Sequence, residues 1–244
     1  MIRWLQQHCL SPKTFYTVSR PWITWFSLSF ILLISMGLYT GLLIAPADYQ
    51  QGDAFRIMYV HVPAAFTAML IYSVMAGSAL ITLVWRVKIA GICMSESAPI
   101  GAWFTFLALI TGSIWGKPMW GTWWIWDARL TSVLILFFLY IGFIALQSVI
   151  QDPQSRDRAS STLAIVAIIN LPIIHYSVIW WNTLHQGPSL SRLAKPSIAP
   201  IMLYPLLMMI AAFFIFYLLI LLLRMRNQIL WREQKSLWVK EVLS

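Results

Sequence analysis

Charged residues are scarce in this chain, and acidic residues are the scarcest. Only 10% of its 244 residues are charged, compared with about 25% in soluble domains. Eight residues are acidic, and the long apolar stretches are almost free of them. The paired carboxylates that general acid–base catalysis or a proton-coupled pump would need are therefore missing there. The composition also leaves no room for a separate soluble domain of useful size.

Several short motifs are absent as well. The chain has no phosphate-binding GxxxxGK[ST] and no dinucleotide-binding GxGxxG, so we expect no ATPase activity of its own. The absence of HExxH and GxSxG argues against the common zinc-hydrolase and serine-hydrolase sites. The net charge of +9 comes without a dense basic run interleaved with aromatics, so it does not indicate nucleic-acid binding.

Cysteine is limited to Cys9 and Cys93. Both are expected on the cytoplasmic side of a membrane, where a disulfide does not normally form. His8 precedes Cys9, but an isolated His-Cys pair is too weak a pattern to indicate a metal site.

Apolar residues dominate what is present. Hydrophobic residues make up 60% of the chain, and six stretches approach the ~20 residues needed to cross a bilayer core. The stretches are apolar on all faces, which favours helices over the alternating strands of a β-barrel. The predicted fold is all-α, a polytopic integral membrane protein with one six-transmembrane-helix bundle over residues 1–244. The six stretches cover 22–44, 60–84, 99–115, 130–150, 160–180 and 201–223, the third being the shortest.

Lysine and arginine predict the orientation of this bundle. The side that carries the N-terminus holds twelve of the 17 basic residues, and the opposite side holds five. The positive-inside rule then places both termini in the cytoplasm. The first stretch is too long for a signal-peptide core, which predicts an uncleaved helix.

The same orientation assigns the connecting segments to two sides. Loops 45–59, 116–129 and 181–200 are expected at the outer face, where the chemistry should lie. Residues 151–158 are expected to be a solvated inner connector. Residues 224–244 are expected to form a basic, amphipathic tail at the cytoplasmic surface.

Five of the 14 tryptophans fall in the twelve residues 115–126, where chance would place about 0.7. We call residues 115–127 the tryptophan motif. Gly116, Lys117, Pro118 and Gly121 are expected to prevent a helix through it. An aromatic belt at the lipid headgroups is one explanation, although a belt accounts for only one or two Trp per helix end. The other is a surface for a flat, apolar ligand with polar edges.

Two histidines lie on separate outer segments at the level of the motif. His61 lies where the first outer loop enters the second stretch, and His185 follows the fifth stretch. Neutral imidazole is a good axial ligand of haem iron, so the pair could bind one iron from opposite sides. His175 lies inside the fifth stretch and is expected to form a helix–helix hydrogen bond, with a functional role as the alternative.

Charged groups beside the motif have two possible roles each. Asp127 is expected to cap the fourth helix or to contact a ligand. Arg129 could pair with Asp127 or with a carboxylate such as a haem propionate. The other basic residues of the outer loops are expected to be solvated; these are Arg56, Lys117, Arg192 and Lys195.

The run W-G-K-P-M-W-G-T-W-W-I-W-D-A-R-L-T-S resembles the tryptophan-rich "WWD" signature of haem-handling membrane proteins. R-I-M-Y-V-H-V-P-A-A and S-V-I-W-W-N-T-L-H-Q-G flank it at the expected places. With only six expected helices, the chain is similar to the haem exporter protein C family (CcmC) of cytochrome c maturation. The larger haem lyases share the motif but have many more helices.

This resemblance implies a multi-pass protein of the bacterial inner membrane, with its outer loops in the periplasm, that binds haem b without being an enzyme. His61 and His185 would be the axial ligands of the iron. The outer loop would cradle the haem through Trp115, Trp120, Trp123, Trp124, Trp126 and Asp127. The implied partners are the periplasmic haem chaperone CcmE, the ATP-binding-cassette subunits CcmA and CcmB, and the small single-span subunit CcmD.

Two other functions stay open at this stage. An ABC-transporter-associated haem permease subunit would favour polar residues along the spans, which are nearly bare of them. A membrane cytochrome b-type redox subunit would need histidine pairs deep in the helices, where only His175 is expected.

Overall fold

The computed structural model describes residues 11–181, 183–185 and 198–243. Within these ranges the chain is helical and contains no β-strand. Six of its helical stretches are long and apolar enough to cross a membrane, which confirms an all-α, multi-span bundle. Some residues discussed above lie outside the described residues; these are His8, Cys9, Arg192 and Lys195.

The helices are numbered in chain order. They are α1 Pro12–Tyr39, α2 Met58–Trp85, α3 Lys88–Trp120, α4 Ala128–Val149, α5 Pro153–Ala167, α6 Asn170–Trp180, α7 Pro200–Arg232 and α8 Leu237–Leu243. A π-helical turn, Thr40–Ile44, extends α1, and a 3₁₀ turn, Asp53–Ile57, leads into α2. Helices α5 and α6 together make the fifth span.

A proline explains why the fifth span consists of two helices. Pro172 has no N–H to donate, and its ring clashes with the carbonyl four residues earlier, at Ile168. The chain turns at 168–169 and restarts as α6. Asn170 at this break is buried, and its side-chain amide donates to the Ser132 carbonyl at 2.9 Å, which ties α6 to α4.

The third span is longer than its apolar pattern indicates. Helix α3 covers 33 residues, whereas the sequence predicted 99–115. Only Arg86 and Val87 separate it from α2, and Arg86 turns the chain by adopting a left-handed conformation with φ 53°. The helix therefore begins eleven residues before the predicted stretch, because tertiary packing stabilises its more polar first turns.

The inner connector and the C-terminal tail also differ from expectation. Helix α5 already begins at Pro153, with Asp152 as its N-cap, so most of 151–158 is helical. Helix α7 runs past residue 223 to Arg232. Arg226 in this extension is only 9% exposed; it donates to the Tyr16 carbonyl and, at 2.9 Å, to Ser19 Oγ.

Helix α8 then returns onto the same end of α1. Val239 is fully buried, and the Trp238 ring lies 5.8 Å from the Tyr16 ring. The segment 224–244 is thus no surface-lying tail in its described part, because it continues a span and then packs against α1.

Helices α2, α3 and α4 pack closely against one another. Tyr140 of α4 is fully buried, and its hydroxyl donates to the Ala68 carbonyl of α2 at 2.7 Å. A Cβ on Gly101 of α3 would lie 2.2 Å from that ring, so only glycine fits there. Small residues allow this close approach of membrane helices. The α2–α3 pairing is the most extensive in the bundle, and it brings the start of α2 beside the end of α3.

Candidate functional site

Helix α3 continues through the first half of the tryptophan motif. It ends at Trp120, so the expected break at Pro118 is wrong and the outer loop shrinks from 116–129 to 121–127. Pro118 removes a single backbone hydrogen bond in the last turn, a loss that the helix tolerates. Gly121 ends the helix in a left-handed conformation, with φ 76°, and its N–H donates to the Lys117 carbonyl.

His61 lies in the first turn of α2 and faces α3. Its Nδ1 is 3.0 Å from the Ala108 carbonyl oxygen and 3.2 Å from Thr111 Oγ1. A carbonyl can only accept, so we assign the ring proton to Nδ1, which leaves a lone pair on Nε2. A Cβ on Gly112 would lie 2.9 Å from His61 Cε1, so glycine is needed for this ring position.

His185 lies beside the start of α4, and its Nδ1 also faces an oxygen acceptor. Its Nδ1 lies 3.4 Å from Asp127 Oδ2. Burial lowers the pKa of the His185 imidazole, and the Asp127 carboxylate opposes this shift only in part. The ring is therefore neutral at neutral pH, with its proton on Nδ1 toward the carboxylate and a lone pair on Nε2.

Each histidine contacts one motif tryptophan. The rings of His61 and Trp115 lie 5.7 Å apart, and those of His185 and Trp120 lie 4.9 Å apart, both edge-on. The structure thus places both predicted histidines beside the tryptophan motif.

Asp127 is the N-cap of α4, which confirms the first of its two expected roles. Its Oδ1 accepts the Leu130 N–H at 2.7 Å. Since Oδ2 faces His185, the same carboxylate serves both groups.

Arg129 joins α4 to α6. Its Nη2 donates to the carbonyls of Ile174 and His175 at 3.2 and 3.3 Å. Its Nε is buried and has no hydrogen-bond partner among the described residues. The bond from Arg129 goes to the backbone carbonyl of His175, whereas the His175 ring, which was expected to form an interhelical hydrogen bond, lies edge-on to Tyr176.

Trp115 connects the motif to the first outer loop. Its Nε1 donates to Gln51 Oε1 at 3.0 Å. Gln51 is held by a tight turn, in which its N–H donates to Asp48 Oδ1 at 2.8 Å. Sequence reasoning missed Gln51; the D-Y-Q-Q-G turn pattern shows where the chain reverses but not what it touches.

The remaining motif tryptophans are more accessible. Trp123 is 57% and Trp126 is 75% exposed. Trp124 lies edge-on to Trp126 at 5.5 Å, and its buried Nε1 has no hydrogen-bond partner in the described part of the chain. The ring contacts between Trp124 and Trp126 and between the motif and the histidines are edge-to-face.

The outer-loop cations that the structure describes are not simply solvated. Arg56 Nη1 donates to the Gly41 carbonyl at 2.8 Å, in the π-helical turn that ends α1, and its Nε pairs with Asp53 at 3.0 Å. Lys117 Nζ donates to the Gly121 carbonyl at 3.0 Å and lies over the Trp123 ring. Arg56 therefore braces the backbone around the site, contrary to the expectation, whereas the Lys117 side chain is exposed, as expected.

Comparison with known proteins identifies the family. The family model described as "Heme exporter protein C" matches residues 4–240. The chain belongs to the haem exporter protein C family. This confirms the resemblance inferred from the tryptophan motif and its two flanking segments.

Individual relatives match over nearly the whole chain. Heme exporter protein C of Haemophilus influenzae is 50% identical over 240 residues, covering 98% of this chain and 97% of the relative. Heme exporter protein C of Escherichia coli K12 is 48% identical over 241 residues, with the same coverage. A ccmC-like mitochondrial protein of cytochrome c biosynthesis from Marchantia polymorpha is 45% identical over 198 residues, covering 81% and 84%.

Proposed function

We propose that this protein binds haem b at the periplasmic end of its bundle and delivers it to the haem chaperone CcmE during c-type cytochrome maturation. The orientation of the His61 and His185 rings is the observation that carries the proposal. In each ring Nδ1 faces an acceptor, so Nε2 keeps a lone pair for iron. Metal-binding histidines are usually oriented in this way, by a carbonyl or carboxylate on the second nitrogen.

The surroundings of the two histidines fit a haem in two further respects. Trp124 Nε1 and Arg129 Nε are buried donors without partners among the described residues, and buried donors normally have one. A haem propionate is an acceptor that could complete either group, and arginine pairs well with carboxylates. Trp123 and Trp126 present exposed aromatic surface beside them for the macrocycle.

Delivery requires that the bound haem remain reachable by another protein. The exposed rings of Trp123 and Trp126 form an accessible edge where the chaperone can approach. Ligation by two neutral imidazoles is exchangeable, which suits a protein that passes its cargo on and does not convert it. The protein thus acts as a carrier and not as an enzyme.

The family and the charge distribution support the proposed membrane assembly. Both termini lie on the cytoplasmic side of the bacterial inner membrane, and the tryptophan motif faces the periplasm. The ATP-binding-cassette subunits CcmA and CcmB and the single-span subunit CcmD are the proposed membrane partners. A cytochrome b-type redox role has less support, because His175 is the one histidine deep within the described helices.

Absorption spectra of the purified protein with added haem test this function. We expect His61→Ala and His185→Ala each to lose most bound haem and to shift the Soret band of the remainder. His175→Ala is the control, because Arg129 binds the backbone carbonyl of that residue and that bond survives the substitution. Wild-type spectra and haem content in both loop variants would overturn ligation by this pair.

A further inference from the structure

A basic cavity lies at the end of the bundle opposite the tryptophan motif. It has a volume of about 190 Å³ and lies between α3, α4, α5 and α7. Glu96 lines it, 19 residues before Trp115 on the same helix, which corresponds to about 28 Å along the helix axis. The cavity therefore opens at the other membrane face and is separate from the candidate haem site.

Three arginines line this cavity, and in two of them the Nε has no hydrogen-bond partner among the described residues. Arg224 forms an ion pair with Glu96 at 2.9 Å. Arg156 and Arg232 each have a buried Nε without a hydrogen-bond partner in the described part of the chain. A buried guanidinium donor that stays unpaired is unfavourable, so an acceptor is expected between α5 and α7.

The lining of the cavity itself contains more basic than acidic groups. Glu96, the one carboxylate in the lining, is already paired with Arg224. Asp157 lies near enough to Arg232 to attract it, yet Asp157 Oδ1 is itself buried without a hydrogen-bond partner among the described residues. Exposed Asp152 attracts another of the three arginines from outside the lining. Within the lining, three guanidinium groups face one carboxylate, which favours an anionic ligand.

Part of the lining of the cavity is apolar. It includes Pro99, Phe143 and Ile144. The volume is below the roughly 300–1,000 Å³ of pockets for drug-sized ligands, so a small anionic group fits and a larger ring system does not. A charged group attached to apolar chains suits a cavity that is lined by both basic and apolar residues.

We propose that this cavity binds the phosphate of an anionic phospholipid headgroup. Basic pockets between membrane helices at the cytoplasmic side are known to take such headgroups. Arg156 and Arg232 would donate to the phosphate, and the first part of the acyl chains would lie against Phe143 and Ile144. The lipid would thereby join the start of α5 to the end of α7.

Lipid retention by the full-length protein tests this proposal. The wild type is reconstituted in nanodiscs of phosphatidylcholine alone or mixed with phosphatidylglycerol, and co-purifying lipid is measured by native mass spectrometry. We expect retention of phosphatidylglycerol in preference to phosphatidylcholine. Arg156→Gln and Arg232→Gln should each weaken this retention roughly fivefold, in line with the contribution of one basic residue.

A matched control and a soluble competitor complete the design. Arg158→Gln removes an exposed arginine two residues from Arg156 on the same helix and should retain lipid like the wild type. Equal retention of both lipids by the wild type, or unchanged retention in both cavity variants, would overturn the proposal. Stabilisation by millimolar inorganic phosphate that equals that of phosphatidylglycerol would also overturn it, in favour of a free phosphate site. The lipid readout does not depend on haem, so each proposal can fail alone.

Discussion

Asp127 Oδ2 lies 3.4 Å from His185 Nδ1, while Oδ1 of the same carboxylate accepts the Leu130 N–H at 2.7 Å. One side chain thus caps α4 and orients a proposed iron ligand. The sequence had presented the helix cap and the ligand site as alternatives. Because both oxygens are engaged, the start of α4 determines where the His185 ring lies.

Asp127→Asn separates these two roles. Asparagine caps helices about as well as aspartate, so the thermal stability of the protein should hardly change. The His185 ring would lose its charged partner, and haem affinity should fall by about 10–100-fold, as for other changes next to metal-binding histidines. Haem titration and thermal unfolding of the same preparation measure both quantities.

Asp152→Asn is the control for that experiment. Asp152 caps α5 in the same manner, by accepting the Ser155 N–H at 2.7 Å, but lies at the other end of the bundle. The Asp152→Asn variant should bind haem with the affinity of the wild type. Wild-type affinity in Asp127→Asn as well would contradict an orienting role for Asp127.

Gly112→Ala should disturb the other histidine. The added Cβ would lie 2.9 Å from His61 Cε1, so the ring must move away from its hydrogen bond with Ala108. We expect weaker haem binding and a shifted Soret band, with the helix content unchanged. Gly77→Ala, where a Cβ meets nothing within 4 Å, should leave the spectrum as in the wild type. Identical spectra for both variants would show that His61 does not depend on this position.

Replacing Trp120, Trp123 and Trp124 together with phenylalanine distinguishes a ligand site from an interfacial belt. Each phenylalanine keeps a ring but loses area and the N–H donor, and an aromatic pair contributes about 0.5–1.5 kcal/mol beyond burial. Loading of the chaperone should fall while membrane insertion stays normal. Normal loading at equal protein levels would favour the belt, since Trp22 and Trp180 would still anchor the bundle.

Reporter fusions test the predicted orientation. A reporter fused after residue 120 should behave as periplasmic, and one fused to the C-terminus as cytoplasmic, because the basic residues are distributed twelve to five. A cytoplasmic signal at 120 would place the tryptophan motif on the wrong side for delivery to a periplasmic chaperone.

Gly101→Ala should destabilise the bundle itself. The new Cβ would lie 2.2 Å from ring carbons of Tyr140, which is buried on all sides and cannot retreat. Overpacking of this kind costs about 1–3 kcal/mol or more in free energy of unfolding. Gly142→Ala, which meets nothing within 4 Å, should be neutral or slightly stabilising. Equal melting temperatures for the two variants would refute the close α3–α4 approach.

Helix ends were less predictable than helix number. Six apolar stretches suffice to predict six spans, because the length and apolar composition of a stretch show whether it can cross the bilayer core. The sequence could not show that α3 continues through Pro118, since packing of neighbouring helices outweighs one lost hydrogen bond there. It also could not show that α7 extends to Arg232. The last turns of α7 are stabilised by the buried contact of Arg226 with α1.

By itself, the sequence determined the membrane class, the family, the tryptophan motif and the two histidines beside it. These depend on composition and on residues close together in the chain, which are visible without a fold. Only the tertiary structure decided that Nδ1 of each histidine faces an acceptor and that Trp115 is held by Gln51. Asp127 and His185 are 58 residues apart, and Gln51 and Trp115 are 64 apart. Such contacts arise from how the helices pack, which no local pattern encodes.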